Sequence, residues 1–379
     1  MVDLSKCVIC TVGTSIATNL GIDKSIAWAN YQWDEADAVF GKELLRKIAE
    51  YRRSGKEGKD EWRNLSVEID SLSKLGLTDG DVVVLLASDT AQGRICSEEI
   101  KKGIVKTFDL DKNSVSVERI NDLNTYNHEK FRLFGLKNLI GKTIEQIERY
   151  NNYEVYINPV SGYNNILPFM TILGMIYGKK VIHWYDLTKQ IMILPPMPIT
   201  FDTEIFSRAF NALKHVEENT YVHKFEYLNR IKGYEAVEED LFLSFVESID
   251  NVGNVTVSPL AFTLLKIENE RKPVKILAEL YSKIRDDTTL AVLSMRQCIT
   301  EKLSSPLWRK SHIHPFSGTD LIVFKTGNNP VRRIAGFMLN EVDFGVTHCF
   351  TDHNEYERVL NVDTIAKFRD RQFVDWQTE

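Results

Sequence analysis

The sequence predicts a doubly wound α/β sheet over residues 1–200, a small helical connector with a winged-helix look over 201–257, and an α+β module over 258–379. Three observations carry this reading. Apolar runs of strand length, Lys6–Val12, Val82–Ala87 and Glu154–Ile157, each stop at Gly, Ser, Thr or Asn. Helix-like stretches lie between them, as crossovers between parallel strands require. After Pro306 the chain turns to β-rich runs that follow two helical stretches.

The first strand runs into Gly13-Thr14-Ser15. Gly13 permits a sharp turn, and the two hydroxyls suit either a helix cap or a phosphate. Ile22 to Arg53 reads as mostly helical, with Trp28, Trp33, Phe40 and Leu44 as core contacts. Leu65, Ile69, Leu72 and Leu75 fall on one face of a helix that ends at Gly76. Val82–Ala87 then leads into Ser88-Asp89-Thr90 and Gly93-Arg94. Cys96–Phe108 reads as a helix, Val115–Ile120 as a strand and Tyr126–Arg149 as a long helix. The strand Glu154–Ile157 exits through Asn158, Ser161-Gly162-Tyr163 and Asn164. A helix over Phe169–Tyr177 and a strand over Lys180–Trp184 follow. Three prolines (Pro195, Pro196 and Pro198) make Met192–Ile199 an extended edge segment.

Composition bounds what such a chain does. Its 379 residues allow two or three domains, and 43% hydrophobic with 26% charged residues is an ordinary soluble balance. A formal net charge of −6 excludes a wholly basic nucleic-acid binder but leaves room for a local basic face. Cys7, Cys10, Cys96, Cys298 and Cys349 are scattered and odd in number, so no disulfide framework is expected and a reducing cytoplasm is. Cys7 and Cys10 sit within one strand and point to opposite faces, which argues against a metal or redox pair. No apolar run reaches membrane-spanning length, and no signal-peptide pattern opens the chain.

Three strand ends in one sheet would form a shared polar platform of Gly13, Thr14, Ser15, Ser88, Asp89, Thr90, Gly93, Asn158, Ser161, Gly162, Tyr163 and Asn164. Arg94 is the one cation in these loops, and no carboxylate–histidine cluster stands beside it. The pattern suits an anionic ligand with several phosphates better than a metal. Together with Leu65–Leu72 and the Leu194–Ile199 exit, this ordered set resembles the CRISPR-associated Rossmann-like sensor domain, the CARF domain, over roughly residues 1–200. The resemblance implies a homodimer that binds a cyclic oligoadenylate, cyclic tetra-adenylate first, as an activating ligand at its two-fold interface. Asn164 stands where that family often carries a lysine, so one charge on the ligand is lost.

Beyond residue 200, Glu204–Lys232 and Leu241–Ile249 read as helices in an acidic stretch. Val255–Val257 reads as a strand, and Ser258-Pro259 opens a helix as N-cap and first residue. Helical pattern continues to Arg285, broken near Pro273, and again over Thr288–Leu303. Strands follow at Asp320–Phe324, Val331–Phe337 and Phe344–Phe350, with a hairpin turn at Thr326–Pro330 and a short closing helix. His312, His314, His348 and His353 cluster here with Arg309, Lys310, Lys325, Arg332 and Arg333. Metal-free RNA cleavage needs such groups: a base for the 2′-hydroxyl, cations for the phosphate and an acid for the leaving oxygen.

This second half resembles the RelE/HigB superfamily of toxin ribonucleases, which cut mRNA on the ribosome, over about Leu260–Leu360. The resemblance implies that Lys325 and Arg333 hold the scissile phosphate, and that His348, His353 and Tyr356 supply base and acid. Arg309 and Lys310 add basic charge, and catalysis needs no cofactor. Three competing readings share the sequence. Arg309 and His314 fit the R-x4-H signature of HEPN ribonucleases, although Pro306 and Pro315 bracket it. A zinc site would take Asp352 as its first carboxylate. A non-enzymatic regulator would use the middle segment on DNA.

Overall fold

The computed structural model describes residues 4–22, 32–34, 39–56, 61–161, 164–185, 187–197, 203–269, 274–287, 289–305, 309, 321–325, 333–339, 343–350, 353–360 and 363–376. At 55, 56, 164, 203, 204, 301, 325, 353, 354 and 357 only the backbone is described. Trp28, Gly162, Tyr163, Lys310, His312, His314, Arg332, Asp352 and the turn 326–330 lie outside the described residues.

The chain divides into two compact units, and their boundaries interleave. One comprises Met1–Ile199, Val216–Lys224 and Leu243–Thr263; the other comprises Thr200–His215, Phe225–Phe242 and Leu264–Glu379. Residues 201–257, the expected connector, are divided between the two units, with Val216–Lys224 and the stretch from Leu243 in the first and the rest in the second.

The first unit holds a six-stranded sheet ordered β3-β2-β1-β4-β5-β6. Its strands are β1 Lys6–Val12, β2 Val82–Ser88, β3 Val115–Ile120, β4 Glu154–Asn158, β5 Lys180–Tyr185 and β6 Gln190–Leu194. All neighbours pair parallel except β5 and β6; β6 is the edge strand, pairs antiparallel and ends before Pro195, so it overlaps the expected edge segment Met192–Ile199 only at its start. The central strands are apolar throughout because helices cover both faces. Cys7, Val8, Ile9 and Cys10 are all fully buried, and each buried apolar side chain contributes roughly 1.5–3 kcal/mol. Cys10 packs with Val8 and Val12 against Ile69, Leu72 and Ile100, on the opposite face from Cys7. Burial pushes the Cys7 thiol up to about 12 and raises Cys10 as well, so neither is a reactive thiolate.

Helix boundaries moved where polar side chains intervene. The expected helix over Leu65–Leu75 is two, Glu61–Leu65 and Val67–Leu75. Ser66 breaks it by capping: its Oγ accepts from Ile69 N–H at 3.3 Å. Gly76 closes the second helix at φ 73°, a left-handed C-cap. Thr90 starts the next helix, Ala91–Phe108, by accepting from Gly93 N–H at 3.0 Å, five residues ahead of the expected start. A small sheet, β7-β9-β8 (β7 Val222–His223, β8 Val246–Ser248, β9 Asn254–Val257), completes this unit. It corrects two helices, since Glu204–Lys232 is interrupted by β7 and Leu241–Ile249 by β8. Lys137, a residue 5% exposed, anchors it: its ammonium donates to Glu217 at 2.7 Å and Thr256 at 3.2 Å.

The second unit holds a five-stranded sheet ordered β11-β12-β13-β10-β14. Here β10 is Lys275–Leu277, β11 Ile322–Lys325, β12 Arg333–Met338, β13 Phe344–Phe350 and β14 Phe373–Asp375. The α+β expectation of two helices followed by antiparallel strands describes Ala278–Asp286, Leu290–Gln297 and β11-β12-β13. The sheet is mixed rather than antiparallel, because β10 pairs parallel with β13 and antiparallel with β14. One face packs Phe324, Ile334, Phe344 and Val346 with Met295 and Ile299. The other packs Phe337, Phe350, Tyr356, Leu360 and Phe368.

Candidate functional site

The parallel register sets the C-terminal ends of β2, β1 and β4 side by side: Val12 lies beside Ala87, and Cys10 beside Asn158. The chain winds outward from β1 to β3, then returns on the other side of β1 at β4. The crevice between β1 and β4 is thus the topological switch point, where open α/β sheets bind ligands. Long-range bonds tie the two loops across it. Thr11 Oγ1 donates to Ser161 O, and Gly13 N–H is shared between Ser161 Oγ at 3.2 Å and Glu68 Oε1 at 3.3 Å. Ser15 Oγ donates to Glu68 Oε2 at 2.6 Å, and Ser66 Oγ donates to the same oxygen at 2.7 Å. Glu68 itself is fully buried.

The residues expected to bind ligand divide sharply. Gly13, Thr14, Ser15 and Ser161 are partly exposed at the crevice. Ser88 and Thr90 are 7% and 5% exposed, bonded to each other at 3.1 Å, with Thr90 capping its helix. Asn158 is fully buried and donates to Ser71 Oγ at 2.9 Å and Cys10 Sγ at 3.4 Å. Asp89 accepts from Arg119 at 2.7 Å and Asp122 N–H at 2.8 Å. Ser88, Thr90, Gly93 and Asn158 are buried at the strand ends, and the partly exposed Asp89 is engaged by Arg119 and the Asp122 N–H. Ser88, Asp89 and Thr90 make their hydrogen bonds within the fold, whereas Asn158 Oδ1 is buried with no hydrogen-bond partner among the described residues. Asn164 begins a helical turn, and its side chain lies outside the described residues. Arg94 Nε donates to Trp33 O at 2.9 Å.

In the second unit three of the expected catalytic positions, Lys325, Arg333 and His348, lie on one face of the sheet. Register sets Lys325 opposite Arg333, and Arg333 opposite Phe350, so these positions share that face. The Arg333 guanidinium lies 4.0 Å from the centre of the Tyr356 ring. Tyr356 meets Phe350 edge-on at 5.7 Å, and Phe350 stacks on His348 at 5.2 Å. A bulge aims His348: pairing passes from Ala335↔His348 to Gly336↔Val346, which leaves Thr347 as the extra residue. Thr347 Oγ1 is then 2.9 Å from His348 Nδ1 and 3.1 Å from Ala335 O. His348 Nε2 is 2.9 Å from Asp363 Oδ2, while Lys367 bonds Asp363 Oδ1.

Burial drives the His348 imidazole below its usual range, against the pull of the Asp363 carboxylate. Burial raises Asp363, yet hydrogen bonds from Lys367 and His348 together outweigh it and hold the carboxyl low. In the neutral ring, Nε2–H donates to Asp363 and the Thr347 hydroxyl donates to Nδ1. In the charged ring, Nδ1–H donates to Thr347, whose proton turns to Ala335 O. The Thr347 hydroxyl thus has a partner in either state of the ring, His348 Nδ1 or Ala335 O.

Two expected catalytic residues are interior. Tyr356 is 1% exposed, so its ring supports Arg333 and its hydroxyl faces no solvent. Arg309 is 5% exposed; burial lowers its pKa while Asp343 and Glu268 act against that. His353 opens the helix His353–Leu360, and its side chain, like that of Lys325, lies outside the described residues.

Sequence reasoning missed Glu68, Asp363 and Lys367. Their signals were present. Glu68 stands three residues after Leu65 and four before Leu72, a carboxylate on an apolar helical stripe. Asp363 and Lys367 have the i,i+4 spacing of a local ion pair.

Comparison with known proteins bears on the first unit. A solved structure of Can2 from Sulfobacillus thermosulfidooxidans in complex with cyclic tetra-adenylate shares 9% identity, covering 95% of this chain and 87% of that one. Its TM-score of 0.24 is too low to carry an argument about fold or ligand. Residues 63–197, which span β2 to β6 and the loops that follow β2 and β4, match the family described as CRISPR-associated protein (Cas_APE2256).

Proposed function

We propose that this chain is a cyclic-oligoadenylate-activated ribonuclease of type III CRISPR antiviral defence, cyclic tetra-adenylate being the first ligand to test. The observation that carries the reading is the CRISPR-associated match over residues 63–197, which falls on the sheet whose strand ends meet at the switch-point crevice. The nucleotide docks at Gly13, Thr14, Ser15 and Ser161, with Gly162, Tyr163 and Asn164 completing the rim at a homodimer interface. Ligand shifts the population toward an active arrangement of the second unit only to the extent that it binds that arrangement more tightly.

In the second unit, Lys325 and Arg333 hold the scissile phosphate of mRNA on the ribosome, and Lys310 adds charge. The 2′-hydroxyl proton passes to the Thr347 oxygen as Thr347 gives its own proton to His348 Nδ1, so His348 is the base through Thr347. The 2′-oxygen bonds to phosphorus, the bond from phosphorus to the 5′-oxygen breaks, and His353 protonates that oxygen. Asp363 orients His348, and Tyr356 supports Arg333. The products are a 2′,3′-cyclic phosphate and a 5′-hydroxyl. The five-stranded sheet favours this reading over a HEPN ribonuclease, whose R-x4-H motif needs a helical dimer face.

The test is incubation of the purified protein with cyclic oligoadenylates of several ring sizes, RNA being scored with and without ribosomes. Ligand-dependent cleavage that persists in EDTA and leaves 5′-hydroxyl ends is expected. Loss of activity in EDTA, or 5′-phosphate products, would reject the mechanism. Ligand binding without RNA loss, joined to salt-dependent binding of duplex DNA, would favour a regulator instead.

A further inference from the structure

The loop after β1 has a direction of hydrogen bonding that bears on what it reads. Glu68, as the carboxylate, only accepts. It draws in the Ser15 hydroxyl proton at 2.6 Å, the Ser66 proton at 2.7 Å and part of Gly13 N–H at 3.3 Å. Ser66 cannot reverse, because the carboxylate has no proton to give; its oxygen accepts from Ile69 N–H at 3.3 Å instead. The rest of Gly13 N–H goes to Ser161 Oγ at 3.2 Å, and the Thr11 proton goes to Ser161 O. What partly exposed Ser15 shows outward is therefore lone pairs, with a buried negative charge directly behind them. A phosphate oxygen needs donors and meets a like charge there; a hydroxyl or amine meets an acceptor.

We infer that Ser15 Oγ, at the end of the β1 loop, is the contact for a hydrogen-bond donor of the nucleotide, a ribose hydroxyl or an exocyclic amine, and that Glu68 is the positioning residue that sets its polarity. The inference rests on the cyclic oligoadenylate reading above and reverses, at Ser15, the expectation that the loop's hydroxyls donate to phosphate. The charge of Glu68 matters as well as its shape. Glutamine there can donate its amide proton to Ser15 Oγ and turn the serine proton outward.

Calorimetry on the full chain decides the matter, with cyclic tetra-adenylate, its 2′-O-methyl form and its N6,N6-dimethyl form as ligands. One of the two donor-deleted rings should bind wild type at least about tenfold weaker, which also tells ribose from amine. Glu68→Gln should shrink that discrimination to about threefold or less. Ser15→Ala, which keeps Glu68 in place, should weaken the parent ring while leaving the affected analogue nearly unchanged. Equal binding of all three rings, or discrimination unaltered in both variants, would overturn the subsite. If no ring size binds at all, the functional reading fails, and the subsite is judged on adenosine alone. Adenosine that leaves the Thr14 and Ser15 amide signals unmoved at millimolar concentration would then reject it too.

Discussion

Gly93 is the residue at which the platform tolerates least. A Cβ there would lie 2.6 Å from Ser88 O and closer still to Ser88 Oγ, so the strand end and the helix start could not approach. Gly93→Ala should cost about 1–3 kcal/mol, read as a lower urea midpoint. An unchanged midpoint would mean that Ser88 moves aside freely. His348 offers a pH handle at the same scale. Its folded pKa is depressed, so its contribution to stability is full above the unfolded value near 6.5 and is lost as pH falls through the folded one. Wild type should therefore lose stability on acidification below about pH 6.5, by at most about 1.4 kcal/mol per unit from this group. His348→Gln, which cannot titrate, should flatten that part of the curve. Equal slopes in both proteins would show that other groups set the acid limb.

At the scale of elements, the helix Val67–Leu75 carries more than its packing. Ser66 caps its N-terminus and also donates to Glu68, so one hydroxyl joins the helix start to the β1 loop. Ser66→Ala should cost about 1 kcal/mol through the cap. It should also weaken ligand binding, since Glu68 loses one of the bonds that hold it behind Ser15. A variant with lower stability and unaltered affinity would separate the two roles. The β13 bulge plays a comparable part in the second unit. Without Thr347 as an extra residue, side chains beyond it would switch faces, and His348 would leave Asp363.

At the scale of the whole molecule, the interleaved boundaries set what can be cut. A fragment ending at residue 200 loses Glu217 and Thr256, which leaves the ammonium of the nearly buried Lys137 without either partner. The cut removes two hydrogen bonds to a charged group, each worth about 1.5–3 kcal/mol. A fragment of residues 1–263 should therefore melt well above one of residues 1–200 in a thermal scan. Equal melting would show that the small sheet β7-β9-β8 adds nothing to the first unit.

Some of this was written locally in the chain. Val115–Ile120 and Phe344–Phe350 were legible to the residue, because each is a run of strand-forming residues with a clear stop on both sides. The three-residue strands β8, β10 and β14 were not, since so short a run has no period to read and depends on its neighbours for pairing. At the candidate sites, Ser15, Ser161, Arg333 and His348 could be picked by residue type, but Ser88, Asn158 and Tyr356 could not be told from exposed groups. By itself the sequence determined the parallel sheet and the three polar strand ends, because apolar periodicity is a local property. Only the tertiary structure decided which polar groups face outward and which way their protons point. Those choices rest on contacts such as Gly13 to Ser161, 148 residues apart, and on the burial of Glu68. Hydrogen-bond direction follows from the partner across the fold, which no local pattern encodes.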